Sequence, residues 1–221
     1  MKVQYLILLM PLFFMMSCLE EKQKVSPPQS VTGKIIGMEG DVKLEGKIVE
    51  TGDSVPDGSV ITTSLDGYCE IQFLGSNIIK IYEDSILRIS FTDSTISLDR
   101  GAAAAVLRNI GTLIQNMDDV FTIQSGTVVA GIRGTSFYMQ REDADTSYFC
   151  LCNGEIDLSD SNGKFSQPMK NIHHGAVRIS EKDNQIEVSR APMLYHTDSD
   201  MEALASRIGE KMDWTHVESS H

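Results

Sequence analysis

The chain has 221 residues, 19 basic against 31 acidic side chains, a formal charge of −12 at pH 7, and four cysteines. So acidic a balance argues against a nucleic-acid partner, because phosphates are held by clustered Lys and Arg. It equally disfavours peripheral contact with anionic lipid headgroups.

The N-terminus reads as an export signal. Met1-Lys2, the apolar stretch from Val3 to Met16, and the small Ser17 before Cys18 have the order that a secretory signal requires. The apolar core is too short to span a bilayer, which takes roughly 20 residues. Met15-Met16-Ser17-Cys18 resembles a bacterial lipobox, where cleavage precedes a cysteine that then carries lipid; an incidental cysteine after a plain signal is the alternative. From Leu19 to Ser30 the chain is polar and proline-bearing, a solvated tether. Acyl chains on Cys18 would supply the anchoring, at roughly 0.8 kcal/mol per buried CH₂. The expected division is 1–17 signal peptide, 18–30 lipidated tether, 31–190 β domain and 191–221 helical tail. The expected location is the bacterial cell envelope, periplasm-facing, with lipid as the only membrane attachment.

After the tether, about 190 residues suffice to bury roughly 70% of the unfolded surface in one domain. Short runs such as Gly33–Gly37, Asp41–Leu44, Ser59–Thr63 and Tyr68–Leu74 alternate apolar and polar residues, the period of strands with one buried face. Asn77–Tyr82, Ser85–Phe91 and Ser94–Leu98 continue the pattern. Turn chemistry separates them, as in Glu39-Gly40-Asp41, Pro56-Asp57-Gly58 and Asn153-Gly154. An all-β domain follows, and its spacing admits a sandwich, a barrel or a compact β-solenoid.

Gly101–Ile110 with Gly111–Met117 departs from this pattern. Its alanines favour helix while its neighbours are strands, so both readings stay open, with strand preferred. In the tail, Ser199-Asp200-Met201-Glu202 fits a capping box, and Met201, Leu204, Ala205, Ile208 and Met212 form one stripe. The predicted helix runs from about Asp200 to Asp213, packs its stripe on the β domain, and is followed by Trp214.

Several motifs in order resemble the periplasmic FecR-type domain of bacteria. They are Gly40-Asp41-Val42, Thr51–Val55, Gly58–Thr63, Gly67–Phe73 with Gly75-Ser76, then Val128–Phe137 containing Arg133-Gly134-Thr135, and Asn153–Leu158. The resemblance implies a compact β-solenoid or sandwich-like FecR-type domain with one C-terminal helix added. It further implies kinship with membrane-spanning regulators that sense an outer-membrane receptor and control a sigma factor. The residues themselves say that Gly131 and Gly134 let the backbone turn or approach another strand. Arg133 would clamp a carboxylate or loop carbonyls through its planar fork, with a ligand-facing role as the alternative.

Three cysteines invite chemistry. Cys150 and Cys152 are two apart on a predicted strand and face one way, while Cys69 lies on another strand. Inert burial, a disulfide from Cys69 to Cys150 or Cys152, and a zinc-type site of Cys69, Cys150 and Cys152 with His173 or His174 all remain open. The run Gly134–Tyr138 lacks the second glycine of a nucleophile elbow, and no phosphate loop is present. The carboxylates Glu142, Asp143 and Asp145 read as a solvated turn. The sequence therefore points to a non-enzymatic envelope lipoprotein, without cofactor, that binds an envelope protein or glycan for assembly or sensing. The alternatives are a regulator relaying a surface signal to a separate transmembrane partner and, last, a metal-dependent enzyme.

Overall fold

The computed structural model describes residues 31–108, 110, 121–126, 128–183 and 185–217. The signal segment, Cys18, the tether and residues 111–117 lie outside these, and so does the side chain of Arg133. Among the described residues no helix is long and apolar enough to cross a membrane.

The first strands are short: β1 (Gly33–Glu39), β2 (Val42–Leu44), β3 (Lys47–Ile48), β4 (Ser54–Val55), β5 (Val60–Thr63), β6 (Tyr68–Phe73), β7 (Asn77–Ile81), β8 (Ile86–Ser90) and β9 (Thr95–Arg100). Then come β10 (Ala102–Leu107), β11 (Phe121–Ser125), the long β12 (Val128–Arg141) and β13 (Thr146–Asp160), β14 (Ser166–Asn171), β15 (Gly175–Lys182), β16 (Gln185–Ala191) and the helix α1 (Asp198–Ser206).

Strand β12 is the spine. Its first half pairs with β11, which leads through β9, β8, β5 and β2 to β3; its second half pairs with β10, which leads through β7, β6 and β1 to β4. The ladder between β9 and β11 is parallel, and the other described ladders are antiparallel. The two wings share one apolar core, in which Ile61, Leu87, Ile89 and Ile96 of one wing meet Ile35, Ile71, Phe73 and Ile79 of the other. Phe73 and Phe91 touch across them with ring centroids 5.1 Å apart. The architecture is therefore all-β and sandwich-like, as expected. Alternation gives way where both faces are covered, as in β10, all six of whose residues are buried.

That exception settles the alanine run. β10 is a central strand between β7 and β12, so a continuous run of small apolar residues suits it better than alternation. Ala103, Ala105 and Leu107 enter the main core. Ala102, Ala104 and Val106 face a second layer formed with Met201, Leu204 and Ala205 of α1.

The helix packs as expected but is shorter and starts earlier. Thr197 is its N-cap and Asp200 completes the capping box as N3, two residues ahead of the box read from Ser199. Its end tightens into i→i−3 bonds, Ile208 to Ala205 and Gly209 to Ser206, and Gly209 at φ 76° stops it. Ile208 and Met212 still pack on the second layer from outside the helix. Beyond them the tail stays docked: the side-chain amide of the buried Asn153 donates to the carbonyls of Asp213 and His216, at 2.6 and 2.8 Å. Arg207 reaches Glu70 Oε2 at 2.8 Å and the carbonyl of Ile36 at 2.9 Å.

Candidate functional site

The Arg-Gly-Thr motif lies at a break in the β12–β13 ladder. Ile132 pairs with Ile156 and Thr135 with Gly154, so β12 carries one residue more than β13 between these pairs. Ser136 then pairs with Asn153 and Phe137 with Leu151, which leaves Cys152 as an extra residue on β13. Two bulges thus face each other within four residues and restore the register. Gly134 and Gly154 take φ of 105° and 124°, where a side chain is strained. Thr135 is fully buried, and its hydroxyl has no hydrogen-bond partner among the described residues. Gly134 and Thr135 thus have a structural place in the fold; the clamp expected of Arg133 falls on a side chain outside the described residues.

Cys152, at the second bulge, belongs to a cluster. Cys150 and Cys152 share one face of β13, as expected from their spacing, and there they meet His174, from the β14–β15 connection, and His196, from the β16–α1 connection. One ligand atom from each of the four lies within 4.8 Å of all the others. Cys150 Sγ is 3.5 Å from His174 Nδ1, Cys152 Sγ is 3.3 Å from His196 Nε2, and these two nitrogens are 3.3 Å apart. Cys150, Cys152 and His196 are buried and His174 is half-buried.

Each imidazole is held from behind. His174 Nε2 lies 2.9 Å from Asp198 Oδ1, at the start of α1, and His196 Nδ1 lies 2.8 Å from the carbonyl of Leu194. The ring of His196 stacks on Tyr138 at 4.7 Å. The carbonyl of the bulged Cys152 accepts from the His174 amide at 3.0 Å. Backbone strain gathers here too, because His174 takes φ 39° and Tyr195, next to His196, takes φ 66°, a region few non-glycine residues enter.

The electrostatics follow from this packing. The facing Cys152 thiol, then the His174 and His196 imidazoles, hold Cys150 well below the ordinary thiol value against the opposing effect of its burial. Burial pushes Cys152 the other way, and the charge favoured on Cys150 adds to that. His174 is raised above its ordinary value: burial opposes its charge, but Cys150 and Asp198 outweigh that.

This arrangement corrects the cysteine expectations. Cys69 does not join Cys150 and Cys152; it lies in the main core between the wings, with its thiol pushed up to about 12 by burial, while the other two face the second layer on the opposite side of the sheet. All three thiols are free. His174 is in the cluster. His173 turns outward, 2.9 Å from Asp198 Oδ2. His196 was missed in sequence, since it stands 44 residues from Cys152 with no spacing that announces a ligand. Its one local signal is its place directly before the helix cap.

The fold, with glycines bracketing Arg133 on the spine strand, defines an all-β domain of a recognisable type. Residues 59–157 match the model of the family described as FecR protein, and this stretch of the chain is a FecR-type domain. Two crystal structures of a candidate anti-sigma factor from Parabacteroides distasonis, at 1.65 and 2.50 Å resolution, are similar at TM-score 0.46 and 10% identity. The likeness covers 59% of this chain and 59% of theirs, so this chain spans less than two thirds of their length. No curated protein matches the chain by sequence.

Proposed function

We propose that this chain is a non-catalytic regulator of the bacterial cell envelope, which relays a surface signal to a separate membrane-spanning partner. The observation that carries this reading is the FecR match over residues 59–157, which covers the strands from β5 to most of β13 and includes both bulges. In this reading the domain is exported, and lipid on Cys18 holds it to a membrane on the tether of residues 18–30. The signal is passed by contact with an envelope protein or glycan.

The test is genetic. Deletion of the gene changes the transcription of a defined set of envelope genes, and Cys18→Ser gives the same change because the domain is no longer held at the membrane. An unchanged transcript profile in the deletion rejects the relay. Crosslinking in intact cells then identifies the partner.

A further inference from the structure

We infer that Cys150, Cys152, His174 and His196 form a closed tetrahedral zinc site that clasps the C-terminal segment onto the FecR domain. The inference is independent of the relay, because the metal is measured on the purified chain and the relay in cells.

The first argument is geometric. Bonds of about 2.3 Å to sulfur and about 2.05 Å to nitrogen give a zinc tetrahedron with S···N edges of about 3.5 Å and an N···N edge of about 3.3 Å. The structure has S···N distances of 3.5 and 3.3 Å and an N···N distance of 3.3 Å. Four protein ligands close such a site, as in structural zinc centres. Two sulfurs with two imidazole nitrogens are the donor set that a tetrahedral zinc ion takes.

The second argument concerns protons. Asp198 is an acceptor, so His174 Nε2 carries the hydrogen; the Leu194 carbonyl is an acceptor, so His196 Nδ1 carries the hydrogen. In neutral rings this turns the lone pairs of His174 Nδ1 and His196 Nε2 toward each other at 3.3 Å. A Zn²⁺ ion between them would take both lone pairs, whereas a proton on one ring would take only one. A carboxylate behind one imidazole and a backbone carbonyl behind the other are the supporting partners that metal-bound histidines have. On binding, Zn²⁺ displaces two protons, counted from neutral histidines and thiols, one from each cysteine. The product, two thiolates and two neutral imidazoles on Zn²⁺, carries no net charge, which suits its burial.

The third argument is topological. The ligands come from β13 and from the two connections that precede β15 and α1. A metal there ties three separate elements together, so its binding energy is spent on docking residues 192–217. Trp214, the one tryptophan of the sequence, lies 4.8 Å from the ring of His173 and 5.1 Å from that of His174. It reports directly on the clasp.

The experiment is elemental analysis of the full chain, purified from cells without chelator. About one zinc per chain is expected. Chelation should shift Trp214 emission, added Zn²⁺ should restore it, and alkylation after chelation should find two newly reactive thiols, Cys150 and Cys152. Cys150→Ser and His196→Gln lower bound zinc at least tenfold, and Asp198→Asn weakens binding about 10–100-fold. Cys69→Ser and His173→Gln keep the full complement, which separates this site from the exposed group of His173, His174 and Asp198. Should a ligand variant fail to fold, the wild-type readings decide alone. Four results would each overturn the inference: a metal-free chain, another metal in zinc's place, a Cys150–Cys152 disulfide in protein taken from cells, or Trp214 emission indifferent to chelation.

Discussion

Replacing Gly154 by alanine tests whether the paired bulges hold the domain together. Gly154 sits at φ 124°, and a Cβ there would come within 2.9 Å of the Gly134 carbonyl oxygen and 3.0 Å of Thr135 Cα. Both are backbone atoms on the spine strand, so neither can swing aside. The conformation costs about 1–3 kcal/mol for a non-glycine residue, and forcing extra volume into a packed site adds about 1–3 kcal/mol. Gly52 is the control: its φ is 103°, and a Cβ there meets nothing within 4 Å. Gly52→Ala therefore carries the conformational cost alone, and the gain from a stiffer unfolded chain, about 0.4–1 kcal/mol, is common to both variants. Urea unfolding should place Gly154→Ala about 1–3 kcal/mol below Gly52→Ala, a large share of the 5–15 kcal/mol typical of a domain. A difference within about 0.5 kcal/mol, the spread of an inert substitution, refutes the claim that the two strands are too close there for a side chain.

Leu204→Ala removes a helix side chain that is 3% exposed. It should cost about 2–3 kcal/mol, the low end for core leucines because the helix can settle; denaturant unfolding followed by circular dichroism checks it. Glu142 takes a two-pronged contact from Arg178 at 2.7 and 2.9 Å and a bond from the Tyr195 hydroxyl at 2.6 Å. The Arg178 contact, with that of Tyr195, holds its carboxyl below the ordinary 4.5. A depressed carboxylate contributes its stability above its unfolded-state value and loses it as pH falls through the folded one. The deficit of Glu142→Gln, about 1 kcal/mol at neutral pH, should thus vanish as pH drops below about 4.5. A deficit that persists in acid shows that the charge is not what holds the connection.

Much of the fold was legible because local periodicity encodes it. The alternation in Thr95–Leu98 is the alternation of burial in β9, and the order of glycine-rich turns carried the FecR resemblance. The alanine run was legible only as a preference for strand over helix, since its strand character comes from burial on both faces between β7 and β12, which no local pattern states. Helix α1 was placed correctly in kind but two residues late, because Thr197 and Ser199 both stand ahead of an acidic residue and only the backbone decides which one caps.

What the sequence by itself determined is the class of the domain, the turns that punctuate it and the glycines of its signature, all consequences of residues close along the chain. Only the tertiary structure decided which cysteines meet. Cys69 and Cys150 differ by the face of the sheet they point to, and that depends on strand order. Cys152 shares its face with Cys150 by strand alternation, and strand order decides that this face is the one turned to the second layer. His196 arrives from 44 residues away because α1 docks on the alanine strand, a contact that small side chains permit and that no spacing in the sequence records.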